Sequence, residues 1–175
     1  MKKIYFRADK RDFADGDPIR TAGEFMQEHH ELGTKAESLM AEHKPDGKPN
    51  REDCLMLFED EDCARRHWAK MSDGKLYQVE ALDSDVLHRG DMRLVDGMGE
   101  RIRVDEDATA LVHLYWNEDM TDEPCVEVLV SGGTVVAQLG TNADRIEEFK
   151  RRFLNIRHDE EEDMDWLNDL SGKND

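Results

Sequence analysis

Two strand-like runs, Cys125–Val130 and Thr134–Leu139, flank Ser131-Gly132-Gly133, a spacing that predicts an antiparallel hairpin late in the chain. The first run carries a single acid, Glu127, between Val126 and Val128. Such a carboxylate lies either on the exposed face of its strand or held in a cleft. Two earlier segments read as partner strands. Ile4–Ala8 is aromatic and β-branched, and Cys54–Phe58 is a continuous apolar run long enough for a buried strand. Lys75–Glu80 alternates as a further strand, and Met92–Val95 reads as another short one.

Helices are predicted between and after these strands. Thr21-Ala22-Gly23-Glu24 matches a capping box that opens a helix carrying Phe25, Met26 and Leu32, which Gly33 would stop. A second helical piece holds Ala36, Leu39 and Met40 and runs toward Pro45, and His43 to Arg51 reads as an exposed loop. Glu59 to Asp62 supply the negative charge favoured at a helix N-terminus, ahead of Cys63, Ala64, His67 and Trp68. Ala108, Leu111, Val112 and Tyr115 keep helical spacing, as do Ile146, Phe149 and Phe153 near the end. The class is α+β, with short strands toward both ends and helices between.

Charge limits the partners. The chain of 175 residues holds 42 acids against 24 bases, a net charge of −18, and hydrophobic residues make up 38%. Such a protein does not bind a phosphate backbone through its bulk field, because that affinity comes from Lys and Arg displacing counterions. A basic partner, or a small ligand in a locally cationic pocket, fits better. Residues 158–175 carry eight acids and one lysine and read as a disordered acidic tail, interrupted by Met164, Trp166, Leu167 and Leu170 at roughly helical spacing. That interruption makes the tail a candidate for folding against a protein partner. Residues 1–157 are expected to form a single domain.

Cys54, Cys63 and Cys125 stand at unrelated spacings, which argues against a disulfide framework or zinc ribbon and for buried thiols without a metal. No apolar run is suited to a signal peptide or a membrane span, so a cytoplasmic protein with no membrane partner is expected. No phosphate-binding glycine loop, dinucleotide fingerprint, zinc-protease motif or serine nucleophile motif is present.

The order of the pieces is more informative than any one of them. A strand ending Tyr5-Phe6-Arg7-Ala8 precedes a turn at Gly16-Asp17, and an apolar strand ending Leu57-Phe58 runs straight into a helix. A strand at Leu76–Glu80 follows, with a loop to Asp91, and then the strand around Glu127. This succession, from about Ile4 to Leu139, resembles the ADP-ribosyltransferase superfamily. It looks most like the small rifampin-modifying transferases and the DNA-targeting toxins, and an uncharacterised bacterial and phage branch shares the N-terminal pattern. The resemblance implies a split β-sheet core with peripheral helices and NAD as substrate rather than as a resident cofactor. It implies Glu127 as the catalytic carboxylate and Arg7 on the dinucleotide phosphates. The backbone of Ala8 would clamp the nicotinamide amide, Phe58 would face the nicotinamide, and Asp91 matches an acid of the rifampin-modifying enzymes.

The chemistry suits those residue types. Cleaving the nicotinamide–ribose bond passes through an oxocarbenium-like state, which a nearby carboxylate stabilises. An arginine fork meets phosphate oxygens two at a time. Arg7 stands where many relatives have His, and Cys125 occupies the place where arginine-modifying relatives carry Gln or Glu. Arginine modification is therefore not expected, and a basic protein or small molecule is the expected acceptor. The competing expectation is a non-enzymatic acidic binder that mimics nucleic acid and occupies a basic partner.

Overall fold

The computed structural model describes residues 1–22 and 31–154. The helix expected around Phe25 and Met26 and the acidic segment 158–175 lie outside the described residues. Among those described, the protein is a mixed α+β fold built on a seven-stranded antiparallel sheet with five α-helices. The strands are β1 (Lys2–Asp9), β2 (Pro18–Ile19), β3 (Leu55–Phe58), β4 (Lys75–Leu82), β5 (Val86–Asp91), β6 (Val126–Val130) and β7 (Gly133–Gly140). Their spatial order is β2-β7-β4-β1-β3-β6-β5. Ser131-Gly132 joins β6 and β7 in sequence, but the two strands do not pair. β6 lies between β3 and β5, and β7 between β2 and β4. The expected hairpin is thus two strands that part at the glycines and enter opposite halves of the sheet.

The seam between the halves lies at the centre. β1 pairs with β4 along its whole length, from Lys2 opposite Leu82 to Asp9 opposite Lys75. It meets β3 at a single pair, Phe6 opposite Phe58. Beyond Phe6 the edge of β1 that faces β3 carries no ladder, so the sheet opens there into a cleft. On one side of the sheet Tyr5, Leu57, Tyr77, Val79, Val128 and Val135 form an apolar layer. On the other, Phe58, Cys63, Trp68, Leu76 and Cys125 pack beneath α2 (Glu61–Lys70). Each large apolar side chain so buried stabilises the fold by about 1.5–3 kcal/mol.

Local chemistry accounts for the helices. Asp60 caps α2, its carboxylate accepting from the Cys63 N–H at 3.0 Å, with Glu61 and Asp62 in the first turn. Trp68 donates its indole N–H to the Gly74 carbonyl at 2.9 Å and lies over Gly140, where a Cβ would come within 2.4 Å of the ring. Thr141 and Asp144 form a reciprocal capping box that starts α5 (Asn142–Phe149). Arg145 then ties α5 to the end of α2 by donating to the Met71 carbonyl at 2.6 Å.

α1 (Glu31–Glu42), α3 (Met92–Arg103) and α4 (Thr109–Trp116) form a separate helical layer. Met40, Leu94, Met98, Val112 and Trp116 are buried at its centre. Three expectations change here. Gly33 lies inside α1 rather than ending a helix. Met92–Val95 opens α3 instead of forming a strand, because Asp91 caps a helix at that point and Leu94 and Met98, four apart, face the helical core. The strand of this region is β5, just before it. Arg51, assigned to an exposed loop, lies in a short 3-10 turn (Arg51–Asp53) and is only 6% exposed. No helix among the described residues is long and apolar enough to cross a membrane.

Candidate functional site at the sheet seam

The cleft opened by the parting of β1 and β3 is a cavity of about 590 Å³. Four of the residues singled out from the sequence line it: Arg7 and Ala8 from β1, Phe58 from β3, and Glu127 from β6. Phe58 stands opposite both Phe6 and Glu127 in register, so it marks the point where the half-sheets touch.

Arg7 bridges the seam. Its Nη1 donates to the Met56 carbonyl of β3 at 2.8 Å, and its Nε donates to the Asp9 carboxylate at 2.8 Å. Arg11 holds the same carboxylate with its Nε at 2.9 Å and its Nη2 at 2.8 Å. Burial would raise the Asp9 pKa, but the hydrogen bonds and charges of Arg11 and Arg7 outweigh it and hold the group down at about 2. Further out, Arg66 and Lys70 of α2 and Arg93 of α3 line the wall, with Lys70 and Arg93 exposed. Arg66 also reaches Asp62 at 3.2 Å, one helical turn back.

The deep end has the opposite character. Glu127 is 1% exposed, and three groups surround its carboxylate. Arg51 Nη1 forms a close ion pair with Oε1, and Arg51 Nη2 approaches Oε2 at 3.5 Å. The Tyr115 hydroxyl donates to Oε1 at 2.5 Å. Arg51 is held in turn by Glu37 of α1, with Nε to Oε2 at 2.9 Å and Nη2 to Oε1 at 3.1 Å. Burial would lower the Arg51 pKa, but the charges of Glu127 and Glu37 raise it well above the ordinary arginine value, so the guanidinium is permanently charged. Burial and the Glu127 charge push the Tyr115 hydroxyl well up, which keeps it a proton donor. Two carboxylates, one guanidinium and one neutral phenol give this buried cluster a formal charge of −1.

Tyr115 reaches Glu127 because β5 offers it space. Gly90 pairs with Glu127, and a Cβ on Gly90 would lie 2.1 Å from the Tyr115 ring. His88 is 1% exposed, its ring tilted against Tyr115 at 5.0 Å and against Trp116 at 4.9 Å between centres. Its Nδ1 lies 3.2 Å from both Lys48 Nζ and Glu118 Oε1.

Asp91 has a different place. It does not line the cavity, and its carboxylate is fully engaged. It accepts from the Arg93, Thr121 and Cys125 N–H groups, each at 2.9 Å, and from the Thr121 hydroxyl at 2.6 Å. Asp91 therefore caps α3 and fixes the chain entering β6. It builds the wall that carries Arg93.

Arg51, Tyr115 and Glu37 escaped the sequence reading. Arg51 sits in polar, loop-like sequence, and Tyr115 and Glu37 follow ordinary helical patterns. The available signal was Glu127 itself, since a carboxylate inside an apolar strand requires a cation. Arg51, just ahead of the buried strand β3, was the nearest candidate in the expected sheet. Cys63 and Cys125 also line the cavity, and the buried Cys125 thiol is pushed up by burial and by its contact with Cys63. No group of three or more His, Cys, Asp or Glu among the described residues is arranged to hold a metal ion. Compared with known proteins, the chain matches no family model and no curated protein.

Proposed function

We propose that the protein is an NAD-dependent ADP-ribosyltransferase whose active site is the cavity at the sheet seam. The observation that carries this reading is the cavity's internal polarity: a buried Glu37–Arg51–Glu127 cluster of formal charge −1, and a remaining lining in which Arg7, Lys10, Arg11, Arg66, Lys70 and Arg93 outnumber Asp9, Asp96 and Glu100. NAD has the complementary polarity, with a pyridinium cation at one end and a diphosphate beside it. Seated with its nicotinamide inward, NAD brings its positive ring toward Glu127 and its phosphates toward the arginines. The open edge of β1 from Arg7 to Asp9 leaves backbone groups free to meet the nicotinamide amide. A sheet split at one central pair also suits the ADP-ribosyltransferase-like core expected from the sequence.

In the reaction the C–N bond between ribose and nicotinamide breaks, and the bonding electrons leave with nicotinamide. The ribose carbon becomes oxocarbenium-like, and the buried negative cluster stabilises that charge as it develops. A nucleophilic oxygen or nitrogen of the acceptor then bonds to the same carbon and gives up its proton. The aromatic face of Phe58 stacks on the nicotinamide. A basic protein or a small molecule is the acceptor that suits the chain's acidic exterior.

A thermal-shift titration tests the first step. Saturating NAD is expected to raise the melting temperature by about 5 °C or more, and Arg7→Ala to remove most of that rise. No shift with NAD, together with tight binding to a basic protein that weakens steeply with salt, would instead establish the acidic-binder reading that the net charge of −18 favours.

A further inference from the structure

We infer that Arg51 is a positioning residue for Glu127, and that Glu37 makes this positioning depend on the docking of α1. The inference rests on the functional reading above, in which Glu127 acts on the ribose. Its basis is the buried chain Glu37–Arg51–Glu127–Tyr115, whose members come from four different elements. Arg51 uses Nε and Nη2 to grip Glu37 and Nη1 to grip Glu127, so one rigid guanidinium holds both carboxylates. Its Cζ lies 5.1 Å from the centre of the Tyr115 ring, which completes the clamp from the side.

Burial penalises a charged carboxylate, and Glu127 is almost wholly removed from water. Arg51 offsets that penalty through its ion pair with Glu127. It also leaves the cluster one negative charge in excess, because Glu37 supplies a second carboxylate. Without Glu37, Arg51 would neutralise Glu127, and the site would lose the charge that meets the developing cation. α1 therefore contributes to the site although no residue of it is required to touch the ribose. Among the described residues, Tyr115 on α4, His88 on β5 and Cys54 ahead of β3 also lie near Glu127.

Three variants test the inference: Arg51→Met, Arg51→Lys, and the paired Glu37→Gln with Arg51→Met, which removes one charge of each sign and serves where the single change prevents folding. Two readouts are needed. In nicotinamide release from NAD, Arg51→Met is expected to lower kcat by about 100-fold or more, with KM within about threefold, and Arg51→Lys to recover at least about tenfold of the loss. In crystal structures, both Arg51→Met variants are expected to show the Glu127 carboxylate moved out of hydrogen-bond reach of the Tyr115 hydroxyl. A Glu127 carboxylate that keeps its wild-type place after loss of Arg51 overturns the inference, as does a kcat that stays unchanged. A wild-type protein that releases no nicotinamide overturns the functional reading, and the structural comparison alone then decides whether Arg51 holds Glu127.

Discussion

Asp9 shows how a single residue joins stability to the site. Its carboxylate sits between Arg7 and Arg11 and is 5% exposed, so it organises two of the cations near the cavity. Its pKa is lowered from 3.8 to about 2. A carboxylate with a depressed folded-state pKa contributes stability that is fully present above the unfolded value and is lost as pH falls through the folded one. Asp9 should therefore contribute about 2 kcal/mol at neutral pH, a contribution that fades between about pH 4 and pH 2. Denaturant unfolding of wild type and Asp9→Asn checks this. The stability gap is expected at pH 6 and should narrow sharply by pH 2.5, whereas a gap independent of pH would show that the two arginines do not hold the charge. Asp9 was invisible from sequence, since nothing in Ala8-Asp9-Lys10-Arg11 distinguishes it from a solvated acid. Glu127 and Arg7 were visible because an acid in an apolar strand and an arginine near a strand end break the local pattern.

At the scale of elements, the contact between β5 and α4 controls the shape of the buried cluster. Gly90 is required because the Tyr115 ring occupies the space of a side chain. Gly90→Ala is expected to displace the ring, cost about 1–3 kcal/mol of stability and weaken the Tyr115 hydrogen bond to Glu127. Chemical denaturation measures the first effect. A crystal structure of the variant would show the second, and an unmoved ring with unchanged stability would contradict the packing. Element type was legible where a single period dominated. β1, β3, β4, α2, α4 and α5 follow their expected segments. It was not legible from Val86 to Val95. The short apolar run at Met92 fits strand and helix alike, and the Asp91 cap, which decides between them, depends on Thr121 and Cys125 far along the chain. The chain break at the glycines after β6 was legible, but the hairpin read there does not form. The separation of its two strands follows from sheet order, which local sequence does not encode.

The whole molecule sets an acidic body around a cleft with a cationic wall. A net charge of −18 repels polyanions at a distance, while Arg7, Arg66, Lys70 and Arg93 line the approach to one buried negative cluster. On the proposed reading, this arrangement suits a small anionic substrate that carries its own cation, and the acidic exterior suits a basic acceptor. The net acidity was plain from composition. Its inversion inside the cavity was not, because the six basic side chains outside the buried cluster, which outnumber Asp9, Asp96 and Glu100, come from β1, the segment after it, α2 and α3 and converge only in the fold. The most direct test of this account is the rate of nicotinamide release from NAD by wild type and by Glu127→Gln. The account predicts measurable release by wild type and a fall of about 100-fold or more in kcat for the variant, with KM little changed. Equal rates for the two proteins, or no release by a wild-type protein that also fails to bind NAD, would contradict it.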